Sequence, residues 1–315
     1  MIRECVVRAP AKINLSLDIT GVRDDGYHLL ETVMQTIALS DIVRVSLAFS
    51  DACAKELRIT VDGSDPRMPS DSSNTAFRAA KAYVDKAGPL LKSMSLHLSN
   101  IEIYIEKNIP QEAGLAGGSA DAAGTLWALN HLCENAISRN DLHIIAAGIG
   151  ADVPFCLTGG TALCTGIGDV IRSLPDFGDH KIVLVKPGFG VSTAAAFRAI
   201  DRRDDLKRPD TDGIIRALED GSAEKVMRSG GNVFEGFFTE IEPEIADVII
   251  TLDSYEWCKG AAMSGSGPTV FGVFDNDDRA KTVVRNLEDK YRGKGYFISL
   301  TETFDSGPGL NVSRY

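Results

Sequence analysis

Three glycine-rich segments and one isolated acid are the residues of this chain whose types and spacing could do chemistry. The longest segment, IPQEAGLAGGSADAA from Ile109 to Ala123, sets Gly114, Gly117 and Gly118 ahead of an alanine-rich run. A helix that starts behind such a loop carries orphan N–H groups and a positive dipole end, and together these favour a bound anion. The glycines let the backbone come close to a phosphate, and Ser119 can either cap the helix or reach a phosphate-bound cation. The loop is neither of the common cradles: no Lys follows Gly118, as GxxxxGK[ST] requires, and GLAGGS does not fit GxGxxG. On these residues alone, a structural turn before a helix accounts for it equally well.

The acid is Asp152. In GIGADVPFCLTGG it stands in a glycine-rich, otherwise apolar stretch, where a side chain that only solvates a surface has little reason to be. A cap or turn role is the plain alternative. The segment AAMSGSGPTVFGVF places Gly265, Ser266 and Gly267 before Pro268 and an apolar run, and a tight turn explains it when taken singly. In VVRAPAKINLSLDI the apolar residues from Val7 to Ile19 hold odd positions, while Lys12, Asn14, Ser16 and Asp18 hold even ones. That is a half-buried strand with Lys12 and Asn14 on one polar face, ~6.6 Å apart along it. Tyr27 and His28 follow a turn at Asp25-Gly26. A tyrosine face can stack on a base and a histidine can hydrogen-bond to one; equally, the pair can pack under the hairpin and decorate it. Three such loops with one isolated acid fit a phosphotransferase, which needs donors for phosphate oxygens and a group to take a hydroxyl proton.

Elements must position these residues. The strand holding Lys12 leads through the Asp25-Gly26 turn into a second β-rich stretch ending near Val45. Ser73 and Asn74 are N-cap candidates for a helix with Phe77, Ala80 and Val84 on its inner stripe. IEIYIE reads as a strand that Pro110 stops. After the glycines, Ala122, Leu126, Leu129 and Cys133 recur at amphipathic helical spacing. A new strand in HKIVLVKP suggests a boundary near 180, giving domains 1–180 and 181–315. DRRDDLKRPDTDG reads as a charged connector or exposed helix edge, and the runs TVFGVFD and YFISLTE close a mixed α and β region.

The whole chain sets limits. Its 315 residues suffice for two domains, and 44% hydrophobic with 24% charged residues is a globular composition. No apolar run approaches the roughly 20 residues of a membrane span, and the opening residues lack the order of a secretory leader. A cytoplasmic location is expected. The net charge of -11 argues against a nucleic-acid partner, which clustered Lys and Arg would be needed to hold. Cys5, Cys53, Cys133, Cys156, Cys164 and Cys258 form no CxxC and no metal cluster, and are expected reduced and mostly buried. A Rossmann oxidoreductase is excluded by the missing fingerprint.

APAKINLSLDITGVRDDGYH, PxxxGLAGGSADAA, GADVPF and MSGSGPTVFGVF occur in that order, from Ala9 to about Phe274. By these four motifs the chain resembles the GHMP small-molecule kinases. AKINLSL and DGYH bring it closest to the members whose substrate is cytidine diphosphate-methylerythritol, and set it apart from mevalonate- and homoserine-type kinases. The resemblance implies an α+β, two-domain GHMP fold: an N-terminal domain like the second domain of ribosomal protein S5, and a ferredoxin-like C-terminal domain. It implies ATP and Mg²⁺, with Pro110, Gln111, Glu112, Ala113, Gly114, Leu115, Ala116, Gly117, Gly118, Ser119 and Ala120 around the ATP phosphates and Asn74 near the nucleotide. Ser119 would touch the metal. It implies Asp152 as base with Lys12 as its charged partner, Asn14 on the substrate, and Tyr27, His28 and Phe197 holding the cytidine. Gly265, Ser266 and Gly267 would line the substrate side. The chain would work on small molecules as a monomer or dimer. A non-catalytic nucleotide-binding protein of this fold would not need both Lys12 and Asp152. The sequence departs from the family pattern at Ala116, where a glycine is usual and which is tolerable only at negative φ, at Ala120, where a second serine is common, and over 201–215, which match no motif.

Overall fold

The computed structural model describes residues 2–50, 57–93, 97–201, 203 and 205–310; Cys53 and parts of the 201–213 connector lie outside them. Two antiparallel strands of unusual length, β1 (Ile2–Val22) and β2 (His28–Ser50), form the spine. They join through the expected turn, in which Gly26 takes φ 84° and its N–H bonds Arg23 O at 2.9 Å. The first sheet runs β12 (Gly309–Leu310), β1, β2, β4 (His97–Glu106), β3 (Arg58–Gly63), with β5 (Thr161–Thr165) off β2, β6 (Val170–Ser173) off β5 and β8 (Gly231–Asn232) off β1.

The sequence pattern makes β1 half-buried, but the chain encloses both its faces. Its odd residues, Val7 to Leu15, enter the core. Its polar residues are roofed, and each finds a partner there. Lys12 bonds Gly114 O, the Asn14 N–H bonds Ser264 Oγ, Ser16 pairs with Gly231 of β8, and Asp18 accepts from Arg208.

Helix α1 (Thr75–Ser93) begins where Asn74 accepts the Ala76 N–H at 2.8 Å. Its buried stripe is Ala76, Ala80, Tyr83, Ala87 and Leu91, so the expected Phe77 and Val84 flank it half-buried. Helix α2 (Gly117–Leu132) differs more from expectation: it is buried nearly all round. It lies between β1 and β2 on one side and α1, α3 (Arg139–Ile149) and α4 (Val153–Thr158) on the other. The density of glycine and alanine serves that enclosure. A Cβ on Gly124 would stand 3.1 Å from Ala9 Cβ and 3.2 Å from Val43 Cγ2, so only small side chains let this helix seat on the sheet.

From β7 (Lys181–Lys186) a second sheet begins, ordered β11 (Phe297–Glu302), β7, β10 (Val270–Phe274), β9 (Cys258–Met263), all antiparallel. Between β7 and β9 come α5 (Thr193–Ile200), α6 (Thr211–Glu219), α7 (Ala223–Ser229), α8 (Val233–Ile241) and α9 (Pro243–Asp253); α10 (Asp277–Lys290) links β10 to β11. This is a ferredoxin-like β-α-β-β-α-β path elaborated with extra helices. The second sheet starts at Lys181, yet β8 and β12 return to the first, so the chain crosses between the sheets after residue 180. The connector ends at α6, whose first turn Asp210 caps by accepting the Gly213 N–H at 2.9 Å.

Candidate active site

Lys12 stands where β1 meets the glycine loop. Its N–H bonds Leu115 O at 3.2 Å, and its Nζ donates to Asn14 Oδ1 at 2.6 Å and Gly114 O at 3.0 Å. The same ammonium lies 3.8 Å from Asp152 Oδ2. Asp152 occupies the N-cap position of α4, but its side chain makes no capping bond. The capping alternative is therefore unused, and a carboxylate 30% exposed faces a lysine only 5% exposed. Behind them Cys164 is pushed up to about 12 by burial and by the Asp152 charge. That thiol stays protonated and offers no competing nucleophile.

The pair opens on a cavity of about 1190 Å³. One wall is the glycine loop, from Pro110 to Ser119. Gln111 Nε2 donates to Asp65 Oδ2 at 3.1 Å. Glu112 has φ 49° and Ala116 φ 58°. The condition that Ala116 keep negative φ is thus not met: the residue that ends the loop is left-handed despite its methyl group, a strain of roughly 1–2 kcal/mol. Ser119 does not cap α2, because the helix starts at Gly117 with Ala116 as N-cap residue; Ser119 lines the cavity. Ala120 is buried and does not line the cavity.

Gly114 is the glycine the loop cannot do without. It has φ 75°, and a Cβ there would fall 2.1 Å from Ser264 O. Its carbonyl also accepts from Ser264 Oγ at 3.0 Å. The loop therefore interlocks, backbone against backbone, with the third glycine segment, which Asn232 holds through Met263 O at 2.8 Å and Gly265 O at 2.7 Å. Gly265 and Ser266 line the cavity, whereas Gly267, before a cis peptide bond to Pro268, does not. Asn74, the α1 cap, also lines it.

The far wall is aromatic. The His28 ring lies 4.5 Å from that of Phe197, which meets Phe234 edge-on at 5.0 Å. Tyr27 is 61% exposed on the turn beside them. Five further residues escaped the sequence reading: Thr193, whose hydroxyl is 3.1 Å from Ser266 Oγ, Asp201, Lys107, Asp121 and Asn232. Lys107 carried a signal, as a lone cation at a strand end just before the loop; the others carried none.

Family models for the GHMP kinases N terminal domain and the GHMP kinases C terminal match residues 74–160 and 206–293. The chain belongs to the GHMP kinase family. It is 42% identical to a 4-diphosphocytidyl-2-C-methyl-D-erythritol kinase of Clostridium tetani, over 90% of this chain and 96% of that one. A Clostridium botulinum protein of the same name is 40% identical over 93% and 99%. A solved 4-(cytidine 5'-diphospho)-2C-methyl-D-erythritol kinase superposes with TM-score 0.72 at 30% identity, covering 96% of this chain and 100% of the other. A homoserine kinase from Cytophaga hutchinsonii gives 0.75 at 21% identity, covering 98% and 97%. Backbone shape, then, does not separate the substrates within this family. As a kinase of this family the chain takes ATP as co-substrate, and among the described residues no helix is long and apolar enough to cross a membrane.

Proposed function

We propose that the chain transfers the γ-phosphoryl group of ATP to the 2-hydroxyl of 4-diphosphocytidyl-2-C-methyl-D-erythritol, giving the 2-phosphate and ADP in the non-mevalonate route to isoprenoids. The observation that carries this reading is the Lys12–Asp152 pair at 3.8 Å, in one cavity that also holds the glycine loop and the His28–Phe197 wall. The loop and the start of α2 would take the phosphates, with Asn74 toward the nucleotide. Asp152 accepts the hydroxyl proton as the oxygen bonds to the γ-phosphorus, and the bond to the bridging oxygen breaks with its electrons leaving on ADP. Lys12, fixed by Asn14 and Gly114, offsets charge on the attacking oxygen. Tyr27, His28 and Phe197 would hold the cytidine. The preference for this substrate over mevalonate or homoserine rests on the relatives at 40% identity and above and on those aromatic residues.

The described residues contain no group of three or more His, Cys, Asp or Glu able to hold a metal. Ser119, which lines the cavity at the start of α2, would be the protein donor to a Mg²⁺ held on the ATP phosphates, and such an ion would offset phosphate charge. Five described cysteines, four of them buried, are free thiols, which supports placing the reaction in the reducing cytoplasm.

The test is ADP release with Mg²⁺-ATP against cytidine diphosphate-methylerythritol, mevalonate and homoserine, with the product located by phosphorus NMR. Turnover on the cytidine compound at least a hundredfold above the others is expected. Preference for another alcohol overturns the assignment.

A further inference from the structure

The stretch after Ile200, for which the sequence offers no motif, reaches the site through Asp201. Its Oδ1 lies 2.6 Å from His28 Nε2, 173 residues away in the chain. The position is an awkward one for an acid. Asp201 is the C-cap of α5, the helix end where the backbone dipole opposes a carboxylate and favours a proton donor. His28 is the donor that meets it. Residues to either side of Asp201 are pinned: Ile200 is buried, Arg203 grips Glu240 at 2.7 Å, and Arg208 donates to Asp18 Oδ1 at 2.6 Å and Ile19 O at 2.7 Å. With the Phe197 ring 4.5 Å from it as well, the imidazole is held in place and in orientation.

A carboxylate can only accept, so Nε2 of His28 carries its hydrogen. In the neutral ring Nδ1 is then a bare acceptor, and it has no hydrogen-bond partner among the described residues. Cytosine presents an amino donor at C4, where uracil presents a carbonyl acceptor. A bare Nδ1 attracts the first and repels the second; the opposite tautomer would do the reverse. We propose that Asp201 is a positioning residue that locks His28 in the Nε2–H tautomer and thereby makes the pocket select cytosine over uracil. The inference rests on the cytidine substrate of the proposed function.

Two measurements test it. Nitrogen NMR of histidine-labelled protein at pH 8, with the His28 signals assigned by their loss in His28→Gln, should show Nε2 protonated and Nδ1 bare, and a mixture of tautomers in Asp201→Ala. Kinetics with the cytidine diphosphate substrate and its uridine counterpart should show the ratio of kcat/KM falling at least tenfold in Asp201→Ala. The change should fall on KM for the nucleotide substrate, with KM for ATP unmoved, and Asp201→Asn, which keeps an acceptor oxygen, should recover most of the ratio. A ratio within twofold of wild type in Asp201→Ala, or a protonated Nδ1 in the wild type, overturns the inference. If the wild type phosphorylates neither nucleotide substrate, the proposed function fails instead, and the nitrogen spectra still decide the tautomer.

Discussion

Asp152 stands at the first turn of α4 with its side chain uncommitted to capping, and its nearest charge is the buried Lys12 ammonium. Asp152→Asn preserves shape and removes basicity, so kcat should fall by about 10³-fold or more while KM for ATP stays within a few fold; turnover within tenfold of wild type would remove it from the base role. Lys12, Asn14 and Asp152, which the structure brings together, stood out in the sequence because an acid in an apolar stretch and a lysine on a patterned strand are exceptions to local rules. Backbone state was not, as Ala116 shows, since the loop's left-handed end is imposed by its anchorage to Lys12 and Ser264. That strain gives a second expectation. Ala to Gly ordinarily costs about 0.5–1 kcal/mol, but Ala116→Gly relieves a left-handed methyl and should be neutral or stabilising by up to about 1 kcal/mol. Urea unfolding measures it, and a loss of 1 kcal/mol or more would mean that the methyl's packing outweighs the strain.

Helix α2 carries a buried ionic device that local pattern could not reveal. Lys107, at the end of β4, contacts Asp41 on β2 and bonds Asp121 on α2 at 2.6 Å, with all three side chains nearly buried. Asp41 is further satisfied by the N–H groups of Asn108 and Ile109, whereas Asp121 Oδ1 has no hydrogen-bond partner among the described residues. Burial, with Asp41 adding to it and Lys107 opposing, pushes the Asp121 carboxyl up to about 8. An acid with a raised folded pKa binds its proton more tightly in the folded chain, so stability falls as pH rises from about 4 to about 8. Asp121→Asn should therefore flatten the stability profile across that window and be at least as stable as wild type at pH 8. Lys107→Met removes the cation shared by two buried carboxyl groups and should cost about 3–5 kcal/mol. Chemical denaturation between pH 5 and pH 8.5 checks both, and an unchanged slope in Asp121→Asn would locate the titration elsewhere. Period and caps made most elements legible, including the Asn74 cap and the strands from Lys181 and Val270. They misjudged β1 and α2, because the second face of β1 is covered by residues more than a hundred positions away and that of α2 by three separate helices, α1, α3 and α4.

The two sheets meet at the glycine loops, and there the division of the chain at residue 180 stops describing the molecule. Ser16 of β1 pairs with Gly231, and the Asn14 N–H bonds Ser264 Oγ; contacts across more than two hundred residues leave no local trace in sequence. The seam separates the glycines by function. At Gly114 a side chain would meet both a left-handed φ of 75° and the Ser264 carbonyl at 2.1 Å, and backbone cannot yield as a flexible side chain does. At Gly117 a Cβ would lie 3.1 Å from Ile109 Cγ2, a contact that a few tenths of an ångström relieve. Gly114→Ala should thus lower stability by about 2–3 kcal/mol. It should also raise KM for ATP and for the cytidine substrate together, because the displaced loop carries the Lys12 anchor on one side and the 264–266 segment on the other. Gly117→Ala should keep the fold and the cytidine KM and weaken ATP alone, since the methyl intrudes only where α2 begins. Circular dichroism and denaturation alongside steady-state kinetics separate these outcomes. Equal, small effects from both substitutions would show that the loops are not interlocked through Gly114, and that the two nucleotide ends are held by independent halves of the molecule.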